Sequence, residues 1–465
     1  MTDVVIVGGG MAGLATAYEL HLRGIDFTLL EAGPRAGGVV FSEDIDGCTI
    51  DAGPDSLLVQ KPDGIKLCEE LGLGDRLIAT KPPRLAYIQR GGRLHPLPAS
   101  SVLGVPTRFG PFVRTKLFSW PGKMRMAAEV FVPRRRDESD ESIGAFMTRR
   151  FGAEATTYLA EPLLAGIHAG DVDRLSIGAL FPRFTEAERT SGSLLRAFRR
   201  RPSGPAPIDG AFRSLPGGLS ELVRALVARL PADRIRLGTP AARVIFAPGA
   251  PGTPGDAGFH AVHTVAGEEI HARALVLAAP AYVTATLVAA ADAELARLCG
   301  EIPYASTATI ALAFPRAAVQ HPLNGSGFVV PRVEHSGILA ASWLSSKWPG
   351  RAPDDRALLR TFVGGGRDPR ALEQSDRELI ERSLAALRPL LGISGDPLLA
   401  RVYRWERASA QHEVGHGARV EAIDRVLARR PGVFVTGSGF RGVGIPDCVA
   451  DGRATARQVI ACLKR

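Results

Sequence analysis

VVIVGGGMAGLATAYELHLRGIDFTLLEAG, residues 4–33, decides the fold. Val4–Val7 is a short β-branched run suited to a buried strand. Gly8, Gly10 and Gly13 follow in the G-x-G-x-x-G spacing. The first glycine permits the tight turn, the second lets a pyrophosphate approach the backbone, and the third lets the helix pack close to its strand. A helix N-terminus at that turn offers free N–H groups and a positive dipole end to phosphate. Phe27–Leu30 reads as the second strand, and Glu31 ends it in the position of a ribose-binding acid. Together these predict a βαβ dinucleotide site, and the acid favours FAD or NAD over a 2′-phosphorylated cofactor.

Working outward, the 465-residue chain is longer than one ordinary domain, with 45% hydrophobic and 23% charged residues. Its five cysteines (Cys48, Cys68, Cys299, Cys448, Cys462) form no C-x-x-C pair and no metal-ligand spacing, so reduced thiols in a cytosolic protein and no metal are expected. With only Met1, Thr2 and Asp3 before Val4, no secretory leader is expected, and no apolar run reaches the length of a membrane span. The net charge of +9 suits an anionic partner, yet no nucleic-acid-binding signature is present.

The residues after Glu31 narrow the cofactor. EAGPRAGGVV places Arg35 and the pair Gly37 and Gly38 just past the ribose acid. This E-x-x-x-R-x-G-G arrangement resembles the flavoprotein amine-oxidase superfamily, in which the arginine and glycines meet the pyrophosphate. DAGPDSLL, with Gly53 and Pro54, resembles the segment that passes the isoalloxazine. Ala242–Ala247 reads as a strand whose Val244 offers its backbone to adenine, and Ala274–Pro280 as a buried strand returning to the same domain. In PGVFVTGSGFRGVGIPDCVADGRATARQVIACL, Val433–Thr436 is a strand. Gly437, Val443, Gly444 and Ile445 follow before Pro446 at a helix start, with helical composition over Ala450–Leu463. That helix N-terminus is placed to stabilise the anion of a reduced flavin. The cofactor expected is FAD.

EPLLAGIHAGDVDRLSIGALFPRF (161–184), GSGFRGVGIPDC (437–448), SSKWP (345–349) and GVPTRFGPF (104–112) resemble the FAD-dependent porphyrinogen oxidases of haem synthesis, nearly end to end. Within that group the chain resembles the bacterial enzymes that convert coproporphyrinogen III directly to coproporphyrin, ahead of the protoporphyrinogen IX oxidases. The resemblance implies six-electron oxidation by hydride transfer to flavin N5, with dioxygen as final acceptor and hydrogen peroxide released. It implies no catalytic side chain, and His168 reads as a packing residue beside a glycine-rich turn. An intact FAD framework argues against a non-catalytic flavin module that docks a haem-pathway enzyme. The other rivals are an amine oxidase, for which no aromatic cage can be placed, and a carotene desaturase, which needs no carboxylate partners. One departure stands out. Where the family carries Pro-Gln-Tyr before Gly-His, this chain has Ala410-Gln411-His412 before Gly415-His416, a position expected to touch the substrate face only loosely.

The substrate's carboxylates call for cations, because guanidinium and carboxylate pair in a fork. Arg84 matches an arginine of the protoporphyrinogen enzymes, and Lys61 follows the flavin segment. Gly166 and Gly170 are expected to let the macrocycle approach the backbone. The fold class expected is α/β. Residues 1–60, 214–292 and 425–465 form a discontinuous Rossmann-like FAD domain, and 61–88 with 293–424 a mixed α+β substrate domain. Residues 89–213 form a mainly helical subdomain. Its stretch Gly104–Met126 interleaves Arg108, Arg114, Lys116, Lys123 and Arg125 with Phe109, Phe112, Phe118 and Trp120. That pattern suits peripheral attachment to an anionic membrane on its inner face. Arg199–Gly210 and Pro248–Gly258 read as exposed loops.

Overall fold

The structure, a computed structural model, describes residues 2–464 except 99–100, 103–104, 107–108, 138, 201–209 and 248–258. Gly104 and Arg108, most of the 199–210 loop and the 248–258 loop therefore lie outside the described residues.

Strand β1 (Thr2–Val7) lies in the middle of a seven-stranded sheet and pairs in parallel with β2 (Phe27–Leu30) on one side. On the other side it pairs in parallel with Glu269–Leu277, in the register Val4↔Ala274 to Val7↔Leu277. Val433–Val435 adds in parallel to the far end of that strand, while His260–Thr264 and then Ala241–Ile245 add antiparallel to its near end. Strands buried on both faces read as continuous apolar runs, as Val4–Val7 and Ala274–Leu277 do. Helix α1 (Met11–Leu22) is buried along almost its whole length, because the C-terminal helix Ile445–Leu463 packs beside it on the same face. That last helix starts five residues before the helical composition becomes evident. Pro446 sits in its first turn, where the missing N–H costs no bond.

A second seven-stranded sheet runs in the order Leu399–Ala410, Tyr304–Pro315, Arg356–Gly364, Ala340–Trp343, Gly327–Val329, Ala86–Arg90, Arg93–Pro96. It is antiparallel apart from the pairing of Gly327–Val329 with Ala86–Arg90. Trp343 and Phe314 fill its core, with the helix Asp376–Leu391 laid against it.

Short helices between residues 109 and 200 close around a third core of Phe146, Phe151, Leu159 and Phe184. Phe112 and Phe118 belong to this core, their ring centroids 6.0 Å apart. The Lys123 ammonium is turned onto the Val113 carbonyl and Arg125 onto the carbonyls of Arg149 and Arg150. Part of the basic-aromatic stretch is thus internal wiring, while Arg114, Lys116, Trp120 and Met124 are exposed among its described residues.

Candidate flavin and substrate site

The turn after β1 behaves as its glycines require. The Gly8 amide donates to Leu30 O at 2.8 Å and closes the turn, with φ at +114°. A Cβ on Gly13 would stand 2.0 Å from the Gly8 carbonyl oxygen, so only glycine lets α1 approach β1. A Cβ on Gly10 would meet no heavy atom within 4 Å. The turn therefore presents an open cradle at a helix N-terminus, the shape and polarity a pyrophosphate needs. Glu31 sits under it, accepting from the Gly9 amide and the Gly33 amide at 2.7 Å each. Each carboxylate oxygen retains acceptor capacity for a ribose hydroxyl.

The 35–40 loop folds onto the same place. Gly37 N–H donates to Gly9 O at 2.8 Å, and a Cβ on Gly38 would come within 3.4 Å of Gly10 Cα. Arg35 spans the loop, donating to Gly38 O at 2.8 Å and Val40 O at 3.2 Å while its guanidinium covers the Phe41 ring at 4.6 Å. Burial lowers its pKa, against the pull of Glu31.

Residues 51–55 are fixed from the second sheet. Ala52 O accepts from Thr309 Oγ1 at 2.7 Å and Trp405 Nε1 at 3.0 Å. Arg360 donates to Asp51 O and, at 2.8 Å, to Gly53 O. Gly53 is required because a Cβ would overlap Val39 O at 1.9 Å. Pro54 follows between Gly53 and Asp55, whose carboxylate takes Lys347 Nζ at 2.8 Å. Burial alone would raise the Asp55 pKa, but Lys347 and Arg360 outweigh it and hold the carboxyl well below the usual range. Asp51 pairs with Arg351 at 2.9 Å, both fully buried, and there burial wins and raises the carboxyl. None of Thr309, Lys347, Arg351, Arg360 or Trp405 is singled out by local sequence. Their signal is three-dimensional, although Lys347 lies within the SSKWP stretch.

At the far end of the cradle Gly437 N–H donates to Asp451 Oδ2 at 3.0 Å, with φ at +117°. Gly444 is the N-cap of the C-terminal helix, followed by buried Ile445, with Val443 just before it. Asp447, in the first turn, accepts from Gly444 N–H at 3.2 Å and from Lys61 Nζ at 2.6 Å. Lys61 is thus ion-paired at that helix N-terminus. Val244 has a buried side chain in an edge strand and pairs with Val262. Arg84 donates from Nε to Thr80 O at 3.1 Å and to Thr80 Oγ1 at 3.2 Å.

Thr156–Ala165 forms a π-helix with Pro162 inside it, ending at Gly166. The wide turn accommodates a proline and is frequent at functional sites. Glu161, buried in it, accepts from Arg332 N–H at 3.1 Å and pairs with Arg367 Nε at 3.2 Å. A Cβ on Gly166 would meet only Glu161 O, at 3.6 Å, so this glycine faces open space. Gly170 does not: Leu175 and the Gln411 side chain stand 2.4 and 2.5 Å from its Cβ position. The protein itself fills the side of Gly170 on which a side chain would stand. His168 is a packing residue, edge-on to Phe181 at 5.9 Å, and burial, with Lys61 nearby, lowers its pKa to about 4. Its carbonyl accepts from Ser409 Oγ and Gln411 Nε2. Among the described residues no His, Cys, Asp or Glu cluster could hold a metal.

These residues fit a flavin dinucleotide. An open glycine turn at a helix N-terminus, a carboxylate beneath it with acceptor capacity to spare, and a segment at 51–53 held by side chains of the second sheet have the shape and polarity such a group needs. The chain is 34% identical to a coproporphyrinogen III oxidase of Bacillus subtilis strain 168, over 99% of this chain and 98% of that one. It is 26% identical to protoporphyrinogen oxidase 2 (chloroplastic/mitochondrial) of Arabidopsis thaliana, over 99% and 94%. A crystal structure provisionally named a protoporphyrinogen oxidase, from Exiguobacterium sp. 255-15, superimposes with a TM-score of 0.85 at 33% identity, covering 100% of this chain and 99% of that one. The family model of flavin containing amine oxidoreductases matches residues 11–460, and the chain belongs to that family.

Proposed function

We propose that the protein oxidises coproporphyrinogen III to coproporphyrin III, with FAD as hydride acceptor and dioxygen as final oxidant. The observation that carries this reading is the end-to-end 34% identity with the Bacillus subtilis coproporphyrinogen III oxidase. FAD, when bound, supplies the two-electron acceptor for each of three successive oxidations, and dioxygen takes the electrons away as hydrogen peroxide. The chain's own residues bind and orient. Gly8, Gly10, Gly13, Glu31, Arg35, Gly37, Gly38, Gly53, Pro54, Val244, Gly437, Val443, Gly444 and Ile445 receive the dinucleotide, and the buttress on residues 51–53 keeps one wall of the site rigid. Gly166 leaves room for a flat ring, and Arg84 pairs with a propionate. Lys61 reaches substrate only by sharing its charge with Asp447.

Arg84 and the 26% identity with the plant enzyme favour a second reading, protoporphyrinogen IX as substrate. The test is kcat/KM on both porphyrinogens, followed by porphyrin fluorescence and oxygen uptake. A preference for protoporphyrinogen IX overturns the first reading. Loss of Arg84 to alanine removes a charge-assisted bond of roughly 1.5–3 kcal/mol, on the order of ten- to a hundredfold in kcat/KM. An unchanged kcat/KM removes Arg84 from the site.

The same proposal places the protein in the cytoplasm, attached reversibly to an anionic membrane face. No helix among the described residues is long and apolar enough to cross a membrane. Trp120, Met124 and Phe131 stand 65%, 72% and 82% exposed near one another in sequence, which supports surface contact. A docked haem-pathway enzyme would compete for this face.

A further inference from the structure

The connection from the second sheet into the helix His416–Leu427 carries a pair of stacked histidines. The rings of His412 and His416 lie 3.8 Å apart and 9° from parallel, both buried. His412 Nε2 is 2.9 Å from Ser438 O, and His416 Nε2 is 2.9 Å from Phe440 O. A carbonyl only accepts, so each Nε2 carries a proton, and burial disfavours a second proton, which leaves each ring neutral with its lone pair on Nδ1. His416 Nδ1 is buried with no partner among the described residues, so a proton added there would have no acceptor for its hydrogen bond. Burial and the neighbouring His416 ring push the His412 pKa down to about 3.

The pair is anchored from behind. His412 O accepts from Ser176 N–H at 2.9 Å, and Gln411 N–H donates to Pro303 O at 2.9 Å. The clamped turn has no slack, because a Cβ on Gly439 would stand 2.5 Å from the Tyr304 hydroxyl. Segment 411–416 thus ties the helical unit and the second sheet to the turn between Val433–Val435 and the C-terminal helix.

We propose that His412 and His416 are positioning residues for the flavin: as a stacked neutral pair donating from Nε2, they hold the 438–440 turn and, through it, the Gly444 helix N-terminus against the cofactor. This rests on the reading that residues 437–445 border FAD.

The test uses the full-length holoprotein. His412→Leu and His416→Leu remove the donor, whereas His412→Gln and His416→Gln return an N–H to the carbonyl. One lost neutral hydrogen bond corresponds to FAD binding weaker on the order of tenfold in each Leu variant, with recovery in the Gln variants. The Leu variants should also shift the visible flavin absorption envelope and midpoint potential, which general loosening elsewhere in the fold would not move. Folded Leu variants with wild-type FAD affinity, envelope and potential overturn the proposal. If the Leu variants do not fold, the ¹⁵N histidine shifts of the wild type decide: both rings are expected as the neutral Nε2–H tautomer, and an Nδ1–H ring or an imidazolium at neutral pH overturns the clamp. Gly444→Val separates the two layers. Flavin affinity lost there but kept in the Leu variants discards the clamp alone, while affinity kept in all discards the border reading.

Discussion

Alanine at Gly10 and alanine at Gly13 should separate two tasks performed by one turn. Gly10 has φ −70° and ψ 179°, extended backbone that alanine adopts without strain, and its Cβ would meet nothing within 4 Å. In flavin-stripped protein Gly10→Ala should therefore stabilise the fold by about 0.4–1 kcal/mol, because the unfolded chain loses freedom. With FAD the sign reverses. The new methyl stands where the pyrophosphate approaches the backbone, and overpacking of this kind costs roughly 1–3 kcal/mol, on the order of five- to a hundred-and-fifty-fold in affinity. Gly13→Ala acts in the other order. Its Cβ would lie 2.0 Å from Gly8 O and 3.2 Å from Ala278 Cβ. A backbone oxygen cannot swing aside as a side chain can, so α1 must separate from β1. That costs about 1–3 kcal/mol or more before any cofactor is added. Thermal unfolding of stripped protein by circular dichroism, beside FAD titration by fluorescence quenching, reads both quantities. Wild-type FAD affinity in Gly10→Ala would refute the cradle, and undiminished apo stability in Gly13→Ala would refute the packing argument.

Arg150 and Glu129 form a fully buried pair, and Glu129 also accepts from Leu194 N–H at 2.9 Å. Arg150→Met strands that carboxylate and should cost about 3–5 kcal/mol in denaturant unfolding; a change within error would mean the helical unit does not depend on it. His168 and His412 titrate in the fold at about 4 and about 3, below an ordinary 6.5, so the unfolded chain binds protons first as pH falls. Stability should be flat above pH 7 and decline from about pH 6.5 downward, His412 alone contributing a penalty of roughly 2 kcal/mol at pH 5. A decline smaller by about that amount in His412→Gln, with the His168 part remaining, checks the assignment, and an equal decline in that variant contradicts it. Trp120→Asp with Phe131→Asp should abolish flotation with anionic liposomes and leave porphyrinogen turnover in detergent unaltered; flotation unaffected by both substitutions ends the membrane reading.

The βαβ turn was legible because everything that specifies it is local. Val4–Val7 must be apolar, Gly8, Gly10 and Gly13 must lack side chains, and Glu31 must follow the second strand, all within one short stretch. The helix Ile445–Leu463 was legible for the same reason, from Pro446 at its start. Long-range wiring was not. The π-helix at Thr156–Ala165 contains Pro162, which locally reads as an end of helix. Glu161 within it binds Arg332 and Arg367, which lie far along the chain and give no local signal. Composition also misled at Gly104–Met126. Alternating rings and cations suggest one amphipathic surface, yet Phe112 and Phe118 face the core and Lys123 and Arg125 satisfy carbonyls.

The histidines at 412 and 416 show the limit most clearly. Their spacing spans a glycine and crosses from loop into helix, so no periodicity marks them as partners. As sequence they read as a departure that touches substrate loosely, whereas in the fold both are buried and hold carbonyls of the 438–440 turn. A phenol at 412 could donate to Ser438 O but could not stack as a second imidazole, and it would not titrate in the acid range. This chain has therefore placed, between its two sheets, a stacked pair that burial holds neutral. A proton would strengthen each Nε2–H bond to its carbonyl but would bury a charge, and on His416 it would add an Nδ1–H with no acceptor among the described residues, so burial decides and the pair that holds Ser438 and Phe440 stays uncharged.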